Sequence, residues 1–299
     1  MKSFQSILED IRDINIQGAR NVARASVDAI RIVAHKNRDK DKKEILDILN
    51  NARLKLIKAR ITEPAMRNCL NYIFFDINSA ENITEEIHKR AKKIESHFDI
   101  SKEKISEIGS RKIIGKSIVF THCHSSTVTN ILKKSKKEKK RFKVYNTETR
   151  PLFQGRITAK ELAKAGIPVR HFVDSAARLA LKKADIMLIG ADAITSEGKV
   201  VNKIGSELFA EVADKYDVPL YVCTDSWKFD PETVFGYEEE IETRKGKEVW
   251  MNPPKGVVVD NHAFENIDTD LITGIISEFG VYRPEVFIEE IRRVYPWIL

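Results

Sequence analysis

Cysteine is scarce in this chain: three in 299 residues, Cys69, Cys123 and Cys223, with no Cys-x-x-Cys pair. That spacing speaks against both a disulfide framework and a structural zinc site. Each cysteine is expected to be a reduced thiol, and any one of them can be simply a small buried hydrophobe. Long apolar runs are missing too, none approaching the roughly 18 residues that cross a bilayer. The opening Met1-Lys2-Ser3-Phe4-Gln5 begins a charged amphipathic stretch without the apolar centre of a signal peptide. A soluble, cytoplasmic protein without membrane partners is the expectation. There is no internal repeat and no low-complexity linker, and no carboxylates or histidines cluster at metal-ligand spacing, so neither a metal nor another cofactor is expected.

Apolar residues make up 42% of the chain, enough for a sizeable core in one large or two moderate domains. Charged residues reach 32%, dominated by Lys and Glu as in many hyperthermophile proteins, and the net charge is +7. One cationic cluster stands out, Lys133-Lys134-Ser135-Lys136-Lys137-Glu138-Lys139-Lys140-Arg141. It can be read as a nucleic-acid patch or as the solvated end of a helix, where cations suit the negative dipole terminus. No aromatic residue interleaves it before Phe142, which removes the stacking platform a nucleic-acid site needs and favours the second reading.

Two regions differ in periodicity. From the start to about Ser110 apolar residues recur at helical spacing: Ile7, Ile11 and Ile14, then Val22, Ala25, Ala29 and Ile32, then Ile45, Ile48 and Leu49. Pro64 suits the first turn of a further helix carrying Met66, Leu70, Ile73 and Phe74. A charged helix is expected from about Thr84 to Phe98. Beyond Ser110, short β-branched runs alternate with helical stretches: 117–121, 142–145, 169–173, 185–189, 219–223 and 256–259. That alternation predicts a parallel sheet wrapped by helices, hence an α/β architecture, with a helical domain at 1–110 and the sheet domain at 111–299. The boundary is expected within Ser106–Lys116, where Gly109 and Gly115 flank a basic turn.

Ligands of such sheets bind beyond the carboxyl ends of the strands, so the residues after each run carry the functional reading. Thr121-His122-Cys123-His124-Ser125-Ser126-Thr127 follows the first. Its hydroxyls can cap the next helix and cradle an anion with the free N–H groups. Cys123 before a helix N-terminus is expected to be a reactive thiol of lowered pKa, reinforced by His122 and His124, unless the segment is an ordinary cap preceded by a buried cysteine. A His-Cys-His metal site is disfavoured, because neighbouring side chains on a strand point to opposite faces. After the second run, Arg150 beside Pro151 can clamp a phosphate or carboxylate, or make a surface salt bridge. After the fourth, Gly190-Ala191-Asp192-Ala193 presents a carboxylate between small residues, although a turn Asp is the commoner use. Asn202-Lys203-Ile204-Gly205 opens another helix where Lys203 can meet a phosphate. Lys228 follows the fifth run, in which Cys223 reads as core.

Together these segments resemble the family of the translation initiation factor 2B α/β/δ subunits, methylthioribose-1-phosphate isomerase and archaeal ribose-1,5-bisphosphate isomerase. The resemblance runs from Ile16-Gln17-Gly18-Ala19-Arg20 to Phe279-Gly280-Val281 and is densest from Thr121 to Phe229. It implies a helical N-terminal domain followed by a Rossmann-like parallel sheet domain with helices on both faces. Cys123 and the Asp192 of Gly-Ala-Asp match the acid–base pair of the sugar-phosphate isomerases, and Thr121-His-Cys-His-Ser with Glu148-Thr-Arg-Pro looks like the ribose-bisphosphate branch. Carried over by position, Gly18, Ala19, Arg20, Arg60, Ser125, Ser126, Asn202, Lys203 and Lys228 match substrate contacts. The family's Arg-Pro-Thr reads Arg60-Ile61-Thr62 here, and Gln17 replaces its usual arginine. The implied activity is aldose–ketose isomerisation of ribose 1,5-bisphosphate in nucleotide (AMP) salvage, by a homo-oligomer built from dimers. Its alternatives are a non-catalytic initiation factor 2B-like regulatory subunit and a methylthioribose-phosphate isomerase.

Overall fold

The computed structural model describes residues 2–16, 18–237 and 243–298; Gln17 lies outside them. In chain order the elements are α1 Phe4–Arg12, α2 Ala19–Lys36, α3 Lys42–Ala59, α4 Pro64–Phe74, α5 Ile83–Lys112, β1 Ser117–Thr121, α6 Ser126–Lys137, β2 Phe142–Thr147, α7 Gln154–Lys164, β3 Val169–Phe172, α8 Ala177–Leu181, β4 Ile186–Ile189, β5 Ala193–Ile194, β6 Val200–Lys203, α9 Ser206–Lys215, β7 Leu220–Cys223, β8 Phe264–Ile267, β9 Gly274–Ser277, β10 Gly280–Tyr282 and α10 Pro284–Val294.

The first five helices form a bundle around α2, whose buried stripe Val22, Ala23, Val27, Ile30, Val33 and Ala34 is mostly small and lets its neighbours approach closely. Ile7 and Ile11 join this core, whereas Ile14 falls beyond the end of α1 at φ 60°. Helix α5 is far longer than the periodicity suggested. Asn82 caps it by accepting from the Glu85 N–H, and thirty residues carry it about 45 Å. Its Ile87, Ile94 and Phe98 belong to the helical core, but Ile105 belongs to the sheet core. Gly109, expected near a turn, lies inside this helix: a Cβ there would meet Ile131 Cδ1 of α6 at 2.5 Å, so the glycine serves close helix packing. A boundary drawn at residue 110 therefore falls in the last turn of a continuous helix.

The main sheet has the order β10-β9-β7-β4-β1-β2-β3, parallel except for β10. Successive residues alternate between its two faces. Phe120, Met187, Ile189, Val222 and Ile275 enter one apolar layer; Val119, Ile186, Leu188, Cys223 and Ile276 enter the other. Burial on both faces is what a parallel sheet requires. The run 256–259 is not a strand. It is irregular, with Val258 84% exposed, and the place beside β7 belongs to β9, all four of whose residues are buried. A small antiparallel sheet, β5-β6-β8, was not anticipated.

Among the apolar C-terminal residues, which are candidates for a subunit contact or for the core, Ile291 is in the chain's own core and Val286 is exposed. Tyr295 and Trp297 fold back on Trp227, at ring separations of 6.1 and 5.1 Å. The lysine run is the end of α6 and the turn into β2. Lys133 pairs with Glu161, and both Lys134 and Lys140 pair with Glu138. It borders a cavity of about 670 Å³ at the amino ends of β1 and β2, on the edge opposite the site described next.

Candidate functional site

Strand order reverses between β1 and β4. From β1 the chain steps outward through β2 and β3, and from β4 in the other direction through β7 and β9. The carboxyl ends of these two central strands therefore diverge into loops on either side of a crevice. Cys123 follows β1 and Asp192 follows β4, so topology sets them across the crevice from each other. Gly190 makes that approach possible. A Cβ there would sit 2.6 Å from Ser125 Oγ, so only glycine lets the end of β4 pass the β1–α6 loop. Ser125 caps α6, its hydroxyl accepting from the Val128 N–H at 3.4 Å, and Ser126 is exposed in the first turn.

Cys123 occupies the left-handed region at φ 61°, an uncommon state for a residue with a Cβ, held by its surroundings. Its N–H donates to Thr149 Oγ1 at 3.0 Å, and its carbonyl accepts from Thr158 Oγ1 at 2.8 Å. Thr149, itself at φ 63°, is fixed by Asp174, whose two carboxylate oxygens accept from the Thr149 and Arg150 N–H groups at 2.8 and 2.7 Å. Gly155 completes the frame, because a Cβ there would collide with the Thr147 carbonyl at 1.8 Å. Three loops thus lock the thiol's backbone before any ligand arrives.

The thiol itself differs from the sequence expectation. Although some of the residue's surface stays accessible, packing around the side chain pushes its pKa up to about 12; Lys203 pulls it down, while Asp192 and Asp174 push it further up. The helix N-terminus does not offset this, because Cys123 lies two residues ahead of the cap, with its N–H turned to Thr149. The flanking imidazoles do not activate it, although the His124 backbone N–H lowers its pKa. His122 is buried, with Nε2 2.9 Å from the Ile204 carbonyl and Nδ1 2.6 Å from Thr147 Oγ1. A carbonyl only accepts, so Nε2 carries the proton and Nδ1 accepts from the threonine hydroxyl. His124 turns to Thr158 and Glu161. Besides burial and the His124 N–H, the charges of Lys203, Asp192 and Asp174 act on the Cys123 thiol, so these groups lie near it.

Asp192 is half-buried, its N–H donating to the Val201 carbonyl at 2.8 Å. Lys203 is buried at the end of β6, its Nζ 4.3 Å from the centre of the Phe264 ring. Asn202 beside it donates to Ser206 Oγ at the start of α9. Lys228 reaches back from the loop after β7 to donate to the Ala191 carbonyl. On the helical side, Gly18 at φ 85° starts α2, Ala19 is buried, and Arg20 lies 3.8 Å from Asp225 with its guanidinium over the Phe98 ring. Arg60 ends α3 and meets Glu63 at 3.2 Å. Arg67 and Asn68 of α4 bind Asp230 and the carbonyls of Trp227 and Phe229, so this helical wall is tied to the loop carrying Lys228. Arg150 turns outward, donating to the Val249 carbonyl at 3.1 Å and lying against Phe153, and does not join the crevice cations. Among the described residues no group of three or more His, Cys, Asp or Glu is placed to hold a metal ion. Thr149 and Asp174 were not read from the sequence; a lone threonine and a lone turn aspartate carry no signal until the loops meet.

Buried His122, half-buried His97 and Glu278, whose side chain is mostly covered, contribute the largest shifts to how stability depends on pH in the acid range. Burial lowers His122 and His97 from 6.5 to about 4, whereas burial next to Asp225 raises Glu278 from 4.5 to about 7. Between about pH 4 and 6.5 the unfolded chain binds protons at the histidines that the folded chain refuses, so stability rises with pH. Glu278 does the opposite between about 4.5 and 7. Two contributions against one predict a thermal midpoint that falls on acidification from about 6.5 to 4, and falls more steeply in Glu278→Gln. Melting curves across this range check both statements; a parent midpoint flat with pH contradicts them.

Known proteins resemble the chain over nearly its whole length. The model of the Initiation factor 2 subunit family matches residues 15–284. A Pyrococcus furiosus protein named ribose 1,5-bisphosphate isomerase is 36% identical over 97% of this chain and 94% of its own length. A Thermococcus kodakarensis protein of the same name is 34% identical, covering 100% of this chain and 97% of its own. The crystal structure of Pyrococcus horikoshii OT3 translation initiation factor eIF-2B superimposes with a TM-score of 0.82 at 26% identity, over 95% of this chain and 98% of that one.

Proposed function

Since this chain belongs to the initiation factor 2 subunit family, and since full-length relatives carry the isomerase name, we propose that it converts ribose 1,5-bisphosphate to ribulose 1,5-bisphosphate. The observation that carries the reading in this chain is the convergence of Cys123, Asp192 and Lys203 on one crevice at the point where strand order reverses. The reaction is an aldose–ketose isomerisation, an intramolecular oxidoreduction. The phosphate on C1 blocks spontaneous ring opening, so the ring oxygen must take a proton as its bond to C1 breaks, while C2 gives one up. The resulting C1=C2 enol then loses its hydroxyl proton as C1 gains one, leaving the ketone at C2. Proton donor and acceptor positions on two sides of the sugar suffice for every step.

Cys123 is assigned the C2 proton and Asp192 the ring oxygen. The thiol is held neutral in the ligand-free crevice, so its ionisation belongs to the catalytic cycle, and the Lys203 ammonium is the charge that favours it. Lys203, Lys228, Arg20 and Arg60, with Ser125, Ser126 and Asn202, are assigned to the two phosphates and the sugar hydroxyls, with Gly18 and Ala19 shaping the turn. Lys203→Ala and Arg60→Ala are each expected to weaken substrate binding about 10- to 150-fold, the worth of one charge-assisted contact. Calorimetric titration reads this directly, and unchanged affinity in both variants puts the phosphates elsewhere.

The decisive test is to offer the purified protein ribose 1,5-bisphosphate and follow ribulose 1,5-bisphosphate. The likeness to an initiation factor structure supports a second reading, a regulatory protein that binds such phosphates without turnover. Binding without product favours it. A dimer or a multiple of dimers is expected in either case. Phe235, Tyr237, Met251 and Val258, at 66 to 84% exposure, are among the apolar side chains available for a subunit contact. Light scattering at micromolar concentration checks this, and a monomer refutes it.

A further inference from the structure

The loop after β7 carries an acidic residue that the reaction above does not use. The Asp225 side chain is 3% exposed, with Oδ2 3.8 Å from Arg20 Nη2, and its Oδ1 has no hydrogen-bond partner among the described residues. A buried carboxylate with incomplete pairing is destabilising, and in a native structure it calls for an explanation. The loop is also clamped from the neighbouring strand. The N–H and hydroxyl of Ser226 both donate to Glu278, which follows β9. His97 of α5 stacks on Trp227 at 4.1 Å and lies 3.9 Å from Glu278. Three residues beyond Asp225, Lys228 binds the carbonyl of Ala191, the neighbour of Asp192.

We propose that Asp225 is a positioning residue, fixing the Arg20 guanidinium against Phe98 at the crevice wall, while Ser226 and Glu278 hold the loop that carries it. Arg20 then meets a substrate phosphate with one edge already engaged, so less rotamer freedom is lost on binding. The same loop carries Lys228, so one segment registers both Lys228 and, through Asp225, the Arg20 of α2. Glu278 makes the arrangement sensitive to pH. The titratable and charged groups facing it are Asp225 and His97, with Tyr295 from the C-terminal tail and Arg20 beyond Asp225. Burial and the Asp225 charge raise its pKa to about 7. Its ionisation adds a second negative charge beside Asp225, drawing Arg20 inward and opposing phosphate binding.

This inference rests on Arg20 being a substrate ligand, so the experiment separates the two. Turnover and calorimetric binding of ribose 1,5-bisphosphate are measured for the full chain and for Arg20→Ala, Asp225→Asn, Asp225→Glu and the Arg20→Ala/Asp225→Asn double variant. Asp225→Asn is expected to raise KM about tenfold with kcat within about threefold, and Asp225→Glu to recover part of the loss. In the Arg20→Ala background, Asp225→Asn adds nothing, because its effect passes through the missing guanidinium. KM of the parent rises between about pH 6 and 8 more steeply than that of Glu278→Gln, the difference being the Glu278 ionisation. Additive penalties in the double variant overturn the proposal, as do parental KM values in Asp225→Asn. If Asp225→Asn does not fold, Asp225→Glu with and without Arg20→Ala gives the same cycle. A parent that neither binds nor converts the substrate removes the functional reading, and this inference with it. An active parent with an unaffected Arg20→Ala removes this inference alone.

Discussion

Cys123→Ser is expected to lose nearly all turnover while keeping fold and substrate affinity. The two side chains are nearly isosteric, and the left-handed backbone at position 123 is held by Thr149 and Thr158 through main-chain bonds that serine leaves intact. A serine hydroxyl is far too weak a base near neutral pH, so the C2 proton has no acceptor. Asp192→Asn should be as inactive, since an amide has no proton of useful acidity to give. Losses of about 10²–10⁴-fold are typical for one acid–base group, and more where no substitute is near. Turnover by Cys123→Ser within tenfold of the parent would refute the assignment and favour the regulatory reading. Product formed in D₂O should carry deuterium at C1 unless the pocket shields the proton; unlabelled product from the parent, with both variants inactive, points instead to a hydride shift. The neutral resting thiol adds a sharper expectation. With its pKa at about 12 in the ligand-free crevice, the Cys123 thiolate fraction should climb with pH from 7 upward without levelling off, which alkylation rates of the free protein read. Lys203→Ala should lower that fraction by the same factor at every pH well below the thiol pKa, because Lys203 is the charge that favours ionisation.

Asp230→Ala should be the most destabilising single change at the seam between helical bundle and sheet. Arg67 of α4 meets Asp230 at 2.6 Å with both side chains at or below 5% exposure, and the Asp230 N–H also binds the Ile194 carbonyl. Removing the carboxylate leaves the buried guanidinium with the Ile61 carbonyl and the more distant Glu232, and about 3–5 kcal/mol is the usual cost of breaking a buried pair. At about 2–4 °C per kcal/mol for chains somewhat shorter than this one, the thermal midpoint should drop by roughly 10 °C. Combining it with Arg67→Met should recover part of the loss, because the uncompensated charge is then gone. A midpoint within about 2 °C of the parent excludes this role for the pair.

Much of the sheet was legible because burial on alternate faces leaves short, dense β-branched runs. The segments 117–121, 142–145, 169–173, 185–189 and 219–223 all became strands of the parallel sheet, with ends shifted by a residue or two. The run 256–259 misled because β propensity is indifferent to location: three valines look the same in an exposed loop as in a core. Its place was taken by Gly274–Ser277, where a glycine stands at the first position and only two β-branched residues follow. Gly109 misled for a related reason. A glycine that lets Ile131 pack against a helix looks, in one dimension, like a glycine that ends one.

Local chemistry determined the order of elements, the capping serine of α6, and the positions of Cys123 and Asp192 just past strand ends, since these depend on residues a few places apart. The membership in the family was equally readable from ordered motifs. Only the tertiary structure decided that Arg150 faces away from the crevice, that His122 points into the scaffold, that Asp225 meets Arg20, and that the thiol rests neutral. Each of these is settled by groups dozens to hundreds of positions away in the chain: Val249 for Arg150, Ile204 for His122, Lys203 for Cys123. A pKa or a side-chain direction follows from desolvation and charge at a few ångströms in space, and the chain's own order does not encode those distances until it has folded.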